Sequence, residues 1–249
     1  MAEQTVRLEA RDNGVRLLTL DDPSRHNAIS LRMRDELLAA ADAVRSDPDA
    51  RALVVTGAGR SFCSGADLAE LLGGSPPVGV LRDRLSGVYQ GFLTLRDLEI
   101  PTIAAVRGHA VGAGLNLAMC CDLRVAAPDT RFSATFSRIG LHPGGGATYF
   151  LVRALGRERA LALLLSGGTV TGEEAVRQGL ALAVHEDPLA EALAMADRFA
   201  ALPTALARDI KRAVALTDHG LEATLSFESW AQASTGTLPE VLTAATRRR

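Results

Sequence analysis

The sequence predicts an α/β core followed by a helical C-terminal segment. Three observations carry that reading. Residues 52–56 (ALVVT) and 102–106 (TIAAV) are apolar runs of the kind found in strands buried on both faces. Each run leads through a glycine-containing turn into a helix-like pattern, so strand and helix alternate over the first three quarters of the chain. From Pro188 onward only helical spacing remains, broken at Pro203, at His219-Gly220 and at Pro239. The division falls at 1–187 for the core and 188–249 for the helical segment.

In chain order, residues 6–8 and 15–20 read as two strands around the Asp12-Asn13-Gly14 turn. Ser30 is placed to cap a helix whose apolar face carries Leu37, Leu38, Ala41 and Val44. The strand ALVVT ends at Gly57. The breaker cluster 73–79 (GGSPPVG) reads as a mobile loop, and a helix follows through Leu81, Leu85, Val88, Phe92 and Leu95. After TIAAV come a glycine turn at 108–114, a short helix at 115–121 and a strand at 123–126, with one more short strand at 131–133. The cluster 142–146 breaks the chain before a helix from Ala147. Thr171 with Glu174 forms a capping box, Gly179 stops that helix, and 182–185 is the last strand.

Composition limits the function classes. With 27 Lys+Arg against 29 Asp+Glu, the net charge of -2 exerts no general pull on nucleic acid or an anionic membrane. An apolar share of 47% against 22% charged is that of a globular chain, not a disordered one. Cys63, Cys120 and Cys121 are too few for a disulfide framework and lack zinc-site spacing, so they read as reduced thiols with no metal role. The N-terminal residues hold no apolar run that would serve as a signal peptide, and no stretch is long enough to cross a bilayer. A cytoplasmic location, with no nucleic acid or membrane partner, is the expectation.

Chemistry concentrates in the two glycine turns. The first is Phe62-Cys63-Ser64-Gly65-Ala66-Asp67-Leu68, and the second runs from Gly108 through His109, Ala110, Val111, Gly112, Ala113 and Gly114 to Leu115. Each sets a backbone N–H at the start of a helix, where negative charge is favoured. Two such groups converging on one carbonyl oxygen make an oxyanion hole. A single turn of this kind is equally well a packing device, in which glycine permits close approach.

Taken together and in this order, the segments resemble the crotonase family (enoyl-CoA hydratase/isomerase). The matching stretches are Pro23-Ser24-Arg25-His26-Asn27-Ala28-Ile29, the turn at 62–68, the run 100–124, Gly140-Leu141-His142-Pro143-Gly144-Gly145-Gly146-Ala147-Thr148, and Glu174-Ala175 with Gly179-Leu180. The resemblance spans about residues 6–214. It implies a spiral of ββα turns, a C-terminal helical segment that builds trimers or dimers of trimers, and a coenzyme A thioester ligand drawn from fatty acid metabolism. No separate cofactor is implied, since coenzyme A belongs to the substrate. It places the oxyanion N–H groups on Ala66 and Ala113, where the second position is usually glycine. It runs the coenzyme along Arg25, Asn27 and Ala28, with Ser64, Ala66, Asp67 and Leu68 around adenine and pantetheine, and counts Gly112 and Gly144 among the residues that bind the substrate. Arg25 reads equally as a phosphate contact or a solvated arginine, and Asp67 as the residue that fixes its own turn.

The chain departs from the pattern where a hydratase of this family carries two glutamates. Asn116 holds the first position and Phe136 the second. Asparagine can hydrogen-bond a water but cannot take its proton, and phenylalanine can do neither. His142 is the substitute proton carrier, ahead of Pro143 and a helix start, although a loop histidine bonded to backbone is the alternative. His109 reads as a packing residue, and Glu70 and Asp83 as solvated helix residues. Phe136 is expected to line an acyl tunnel, whereas Phe132, Tyr89 and Phe92 read as core. The C-terminal Arg247-Arg248-Arg249 reads as a solvated tail.

Two functions follow. The first is an acyl-CoA enzyme of hydratase or isomerase type that stabilises a thioester enolate with atypical acid/base residues. The second is a protein that binds or carries long-chain acyl-CoA without chemistry, as the missing glutamates would suit.

Overall fold

Alternation along the apolar runs decides the architecture, because it gives one sheet a hydrophobic layer on each face. The computed structural model describes residues 4–239, 241 and 243. In chain order the elements are β1 (Val6–Ala10), β2 (Val15–Leu20), α1 (Leu31–Ser46), β3 (Ala52–Gly57), α2 (Leu68–Leu72) and α3 (Val78–Leu93). Next come β4 (Thr102–Val106), β5 (His109–Val111), α4 (Ala113–Cys120), β6 (Leu123–Ala126), β7 (Arg131–Ser133), α5 (Ala147–Leu155) and α6 (Arg157–Ser166). The chain continues through β8 (Thr169–Thr171), α7 (Gly172–Gln178), β9 (Ala183–Val184), α8 (Pro188–Ala200), α9 (Thr204–Leu216) and α10 (Leu221–Gly236).

The larger sheet has the order β1-β2-β3-β4-β6-β9, parallel throughout except for antiparallel β1 at its edge. Leu53 and Val55 of β3, with Ala104 and Val106 of β4, face the main core under the helices. Ala52, Val54, Ile103 and Ala105 face the other side and pack on Ala192, Met195 and Ala196 of α8. The sheet is thus buried on both faces, as the apolar runs predict. Helix α8 follows the expected boundary at 187/188, yet it supplies one of the two hydrophobic layers and belongs to the core.

A second, smaller sheet, β5-β7-β8, stands beside the first. Strand β4 runs into β5 and then α4, and β6 runs into β7, so successive turns of a ββα spiral lay one strand in each sheet. This is the α/β crotonase-like fold that the resemblance implies.

The caps fall where the sequence places them. Ser30 Oγ accepts from Met33 N–H at 3.1 Å, and Thr171 and Glu174 form the reciprocal capping box. The apolar face of α1 is shifted, with Met33 and Ala40 buried and Leu38 only partly so. Helix α3 starts at Val78, inside the breaker cluster expected to be a loop. The glycine turn at 108–114 contains β5, and α4 starts at Ala113 rather than at 115. Strand β8 and the 3-10 turn Thr135–Ile139 are absent from the sequence reading. Such short segments show no periodicity of their own, because distant partners define them.

Lys211, the only lysine, donates to Ile100 O at 3.0 Å and pairs with Asp122 at 2.8 Å, pinning α9 to the end of the sheet. Among the described residues no helix is long and apolar enough to cross a membrane. Arg247, Arg248 and Arg249 lie outside the described residues.

Glu36 of α1 clamps the edge strand. Its Oε2 accepts from Thr5 N–H at 2.7 Å, Thr5 Oγ1 at 2.9 Å and Val6 N–H at 2.9 Å, while Oε1 accepts from Arg32. Burial pushes this carboxyl up, but the hydrogen bonds together outweigh burial and hold it below its usual 4.5. A depressed folded-state value contributes stability above the unfolded value, and that stability is lost as pH falls through the folded value. Melting temperatures of wild type and Glu36→Gln, measured from about pH 7 down to about pH 3, are therefore expected to differ most at the neutral end and to converge in acid. A gap that does not change with pH would refute this role.

Candidate active site

The two glycine turns meet because the backbone pairs them. Cys63 N–H donates to His109 O at 2.9 Å and Val111 N–H to Cys63 O at 3.0 Å, so the first turn runs parallel to β5. On its other edge, Ile29 N–H donates to Gly65 O at 2.7 Å and Asp67 N–H to Ile29 O at 3.0 Å. Residues 65 and 67 thus spend their groups on Ile29, and the N–H of Ala66 between them turns to the opposite side. Ala113 is the first residue of α4, so its N–H has no partner within the helix. Among the described residues neither N–H has an acceptor.

Glycine makes this approach possible. A Cβ on Gly65, whose φ is +109°, would stand 2.9 Å from Val111 O and 3.8 Å from Ala113 N. One on Gly114 would stand 2.2 Å from Cys63 O. The start of α4 therefore sits directly on the backbone of the first turn.

Ala66, Gly112 and Ala113 line a cavity of about 300 Å³. Ser64 and Leu68 extend the lining on the side of the first turn, and Gly144 and His142 on the side of the loop before α5. The Phe136 ring lies 3.8 Å from where a Cβ of Gly112 would be, walling the cavity beside the Ala113 N–H. No Asp, Glu, Lys or Arg lines it. A larger groove of about 820 Å³ opens between α9 and the core and shares no lining residue with it.

Asn116 is 1% exposed and lines the cavity. Its Nδ2 donates to Gly144 O at 2.8 Å, which fixes the orientation of the amide, and its Oδ1 has no partner. A buried acceptor left unmade costs about 1–3 kcal/mol. Tyr89 also lines the cavity and is only half-buried, a correction to its expected place in the core; Phe132 and Phe92 are fully buried. The Tyr89 hydroxyl comes so close to Gly144 that a Cβ there would stand 2.2 Å from it. Burial pushes the phenol up from its usual 10, against a hydrogen bond from the Gly145 backbone, so it remains protonated at neutral pH. Neither the resemblance nor helical spacing distinguishes Tyr89 from its neighbours on α3; its position depends on the loop that packs against it.

His142 is exposed, and its Nδ1 lies 2.8 Å from Pro143 O. A carbonyl oxygen only accepts, so Nδ1 carries a hydrogen and donates this bond. His109 is exposed on β5 rather than packed. Glu70 accepts from Leu31 N–H at 3.0 Å, capping α1, and Asp83 pairs with Arg82 on the surface. Burial holds the Cys63 thiol up at about 12, so it is no nucleophile.

On the coenzyme side, Asn27 is 0% exposed. Its Nδ2 donates to the carbonyls of Ala58, Ser61 and Phe62, and its Oδ1 accepts from Asp22 N–H. The side-chain amide is enclosed and bonded within the protein, where it braces the backbone leading into the first turn. Arg25 is paired with Asp67, and Asp67 also caps α2 by accepting from Glu70 N–H at 3.2 Å. Arg25 is thus held by Asp67 while its side chain stays about half exposed, at 48%. Ser64 Oγ donates to Arg25 O at 3.3 Å, and Ala28 is partly buried next to this pair.

Residues 10–240 match the sequence profile described as enoyl-CoA hydratase/isomerase. The chain is similar to a probable enoyl-CoA hydratase of Mycobacterium tuberculosis, 48% identical over 82% of this chain and 78% of the relative. It is also similar to the 1,2-epoxyphenylacetyl-CoA isomerase of Escherichia coli, 37% identical over 71% of this chain and 68% of the relative. Among solved structures, a Thermobifida fusca protein crystallised in complex with CoA superposes with a TM-score of 0.83 at 32% identity, covering 93% of each chain.

Gly65→Ala tests the meeting of the turns. The added Cβ and the positive φ are expected to cost about 1–3 kcal/mol of stability, read by denaturant unfolding, and to part the two N–H groups. Thioester affinity of the folded variant should fall by about tenfold or more. Unchanged affinity would show that the site does not depend on this contact.

Proposed function

The chain belongs to the enoyl-CoA hydratase/isomerase family of acyl-CoA enzymes, and on that premise we propose that its cavity binds an acyl-CoA thioester with the carbonyl oxygen between Ala66 N–H and Ala113 N–H. The observation that carries this reading is that two backbone donors, on turns packed against each other, have no acceptor among the described residues and sit beside a cavity whose described lining is uncharged. Such donors act on charge as it develops. One of them is worth roughly 10²–10³ in rate in acyl chemistry. Both stabilise the same oxyanion, whether a nucleophile adds at Cβ or a proton leaves Cα. Ser64 and Leu68, on the rim of the first turn, would lie along the pantetheine.

The acid/base arrangement is atypical. Asn116 and Phe136 stand where the resemblance puts two glutamates, and no carboxylate lines the cavity. His142, which lines the cavity and is oriented by its Nδ1 bond to Pro143 O, takes the role of proton carrier. The same absence of carboxylates favours a second reading, in which the chain holds acyl-CoA without transforming it.

Turnover of crotonyl-CoA and longer enoyl-CoA thioesters separates the two readings. On the first, wild type exceeds buffer, and His142→Ala lowers kcat by about 10²–10⁴ with little change in affinity for a saturated thioester. Calorimetric binding of a saturated long-chain acyl-CoA, with no turnover across the panel, would establish the second. No binding of any thioester would remove both.

We also propose that copies of this chain assemble through α9 and α10 as a trimer or a dimer of trimers. Ile210, Val214, Leu221, Leu225 and Trp230 lie exposed on these helices, Trp230 at 79%. Light scattering after gel filtration should give three or six times the chain mass, and Trp230→Glu with Ile210→Asp should lower it. A wild-type monomer would refute the assembly.

A further inference from the structure

Resting on the acyl-CoA reading above, we propose that Tyr89 is the closed end of the acyl cavity and restricts its ligand to short-chain thioesters.

Helix α3 carries Leu85, Tyr89 and Phe92 at spacings of four and three residues, which sets them on one face. The cavity ends along this face. Leu85 and Tyr89 line it, whereas Phe92 is fully buried and does not. The Phe92 ring stands behind Tyr89, with ring centroids 6.2 Å apart. Tyr89 is thus the last side chain of α3 that a ligand in the cavity meets. The other end of the helix faces solvent, where Val78 is 86% exposed.

The loop before α5 shuts the gap across from the ring. Gly144 lines the cavity, and a Cβ there would stand 2.2 Å from the Tyr89 hydroxyl and 3.0 Å from Cζ. A Cβ on Gly145 would stand 2.9 Å from Phe92 Cζ and 3.1 Å from Tyr89 Cδ1. Two glycines in succession therefore let the loop backbone settle on the tip and edge of the phenol. Asn116 Nδ2 holds the loop there by donating to Gly144 O at 2.8 Å. A methylene chain does not pass between a ring and a backbone packed this closely.

Helix α4 gives the depth. Ala113 offers its N–H at the first position of the helix, and Asn116, which holds the closing loop, lies three residues further on. Three helical residues rise about 4.5 Å. An extended carbon chain, with bonds of about 1.5 Å, advances about 1.3 Å per carbon, so the span from the carbonyl to the wall takes roughly four to six carbons. One aromatic side chain then decides the acyl length, and it bears against the long-chain form of the second reading.

Calorimetry with acetyl-, butyryl-, hexanoyl-, octanoyl- and decanoyl-CoA, on wild type, Tyr89→Leu and Tyr89→Ala, tests the wall. Melting temperatures check that each variant is folded, and leucine keeps the measurement possible should alanine unfold. Burying a methylene is worth about fourfold in affinity, so wild-type affinity is expected to climb by about tenfold per two carbons as far as butyryl- or hexanoyl-CoA and to gain nothing beyond. In the variants the climb continues for at least two carbons more, while butyryl-CoA affinity changes by less than about threefold. A general loosening of the site would instead weaken every thioester alike and leave the limit in place, which overturns the wall. Wild-type affinity that keeps climbing through decanoyl-CoA also overturns it, and both results leave the acyl-CoA reading intact. Failure of all five thioesters to bind overturns that reading and the wall with it.

Discussion

The site depends on one backbone contact, the parallel pairing of the first turn with β5 through Cys63, His109 and Val111. That pairing seats the start of α4 against the backbone at Cys63 and Gly65, and leaves the Ala66 and Ala113 N–H groups without acceptors. A backbone donor needs no side-chain rotamer to hold it. Its position is fixed by the sheet and helix that flank it, so the cost of ordering it is met by the fold itself.

Around these donors the cavity is electrically quiet. Its lining carries no formal charge, and its polar side chains include an amide, a phenol and an imidazole. In such surroundings an oxyanion gains more from two fixed dipoles than it would in water. The cost is that no carboxylate is at hand for proton transfer.

Several charged and polar residues that stand near the site in sequence are spent on building it. Asn27 braces the carbonyls of Ala58, Ser61 and Phe62 that lead into the first turn, Asp67 caps α2 while holding Arg25, and Glu70 caps α1. These bonds explain why a segment rich in polar residues is rigid enough to aim one N–H. Residue type and position alone did not separate a bracing role from a ligand-binding one, because both demand a polar group at a turn.

The sequence by itself determined the long elements, the two buried faces of the sheet and the pair of glycine turns. Each is written in local apolar spacing or in residues, such as Ser30 and Thr171, whose caps act within a single helix turn. It also determined that positions 116 and 136 hold no carboxylate. Only the tertiary structure decided the entry of Tyr89 into the cavity, the stranded Oδ1 of Asn116, the bracing role of Asn27 and the existence of β8. Each of these depends on a partner far along the chain, and no local pattern encodes which carbonyl, glycine or strand will arrive opposite.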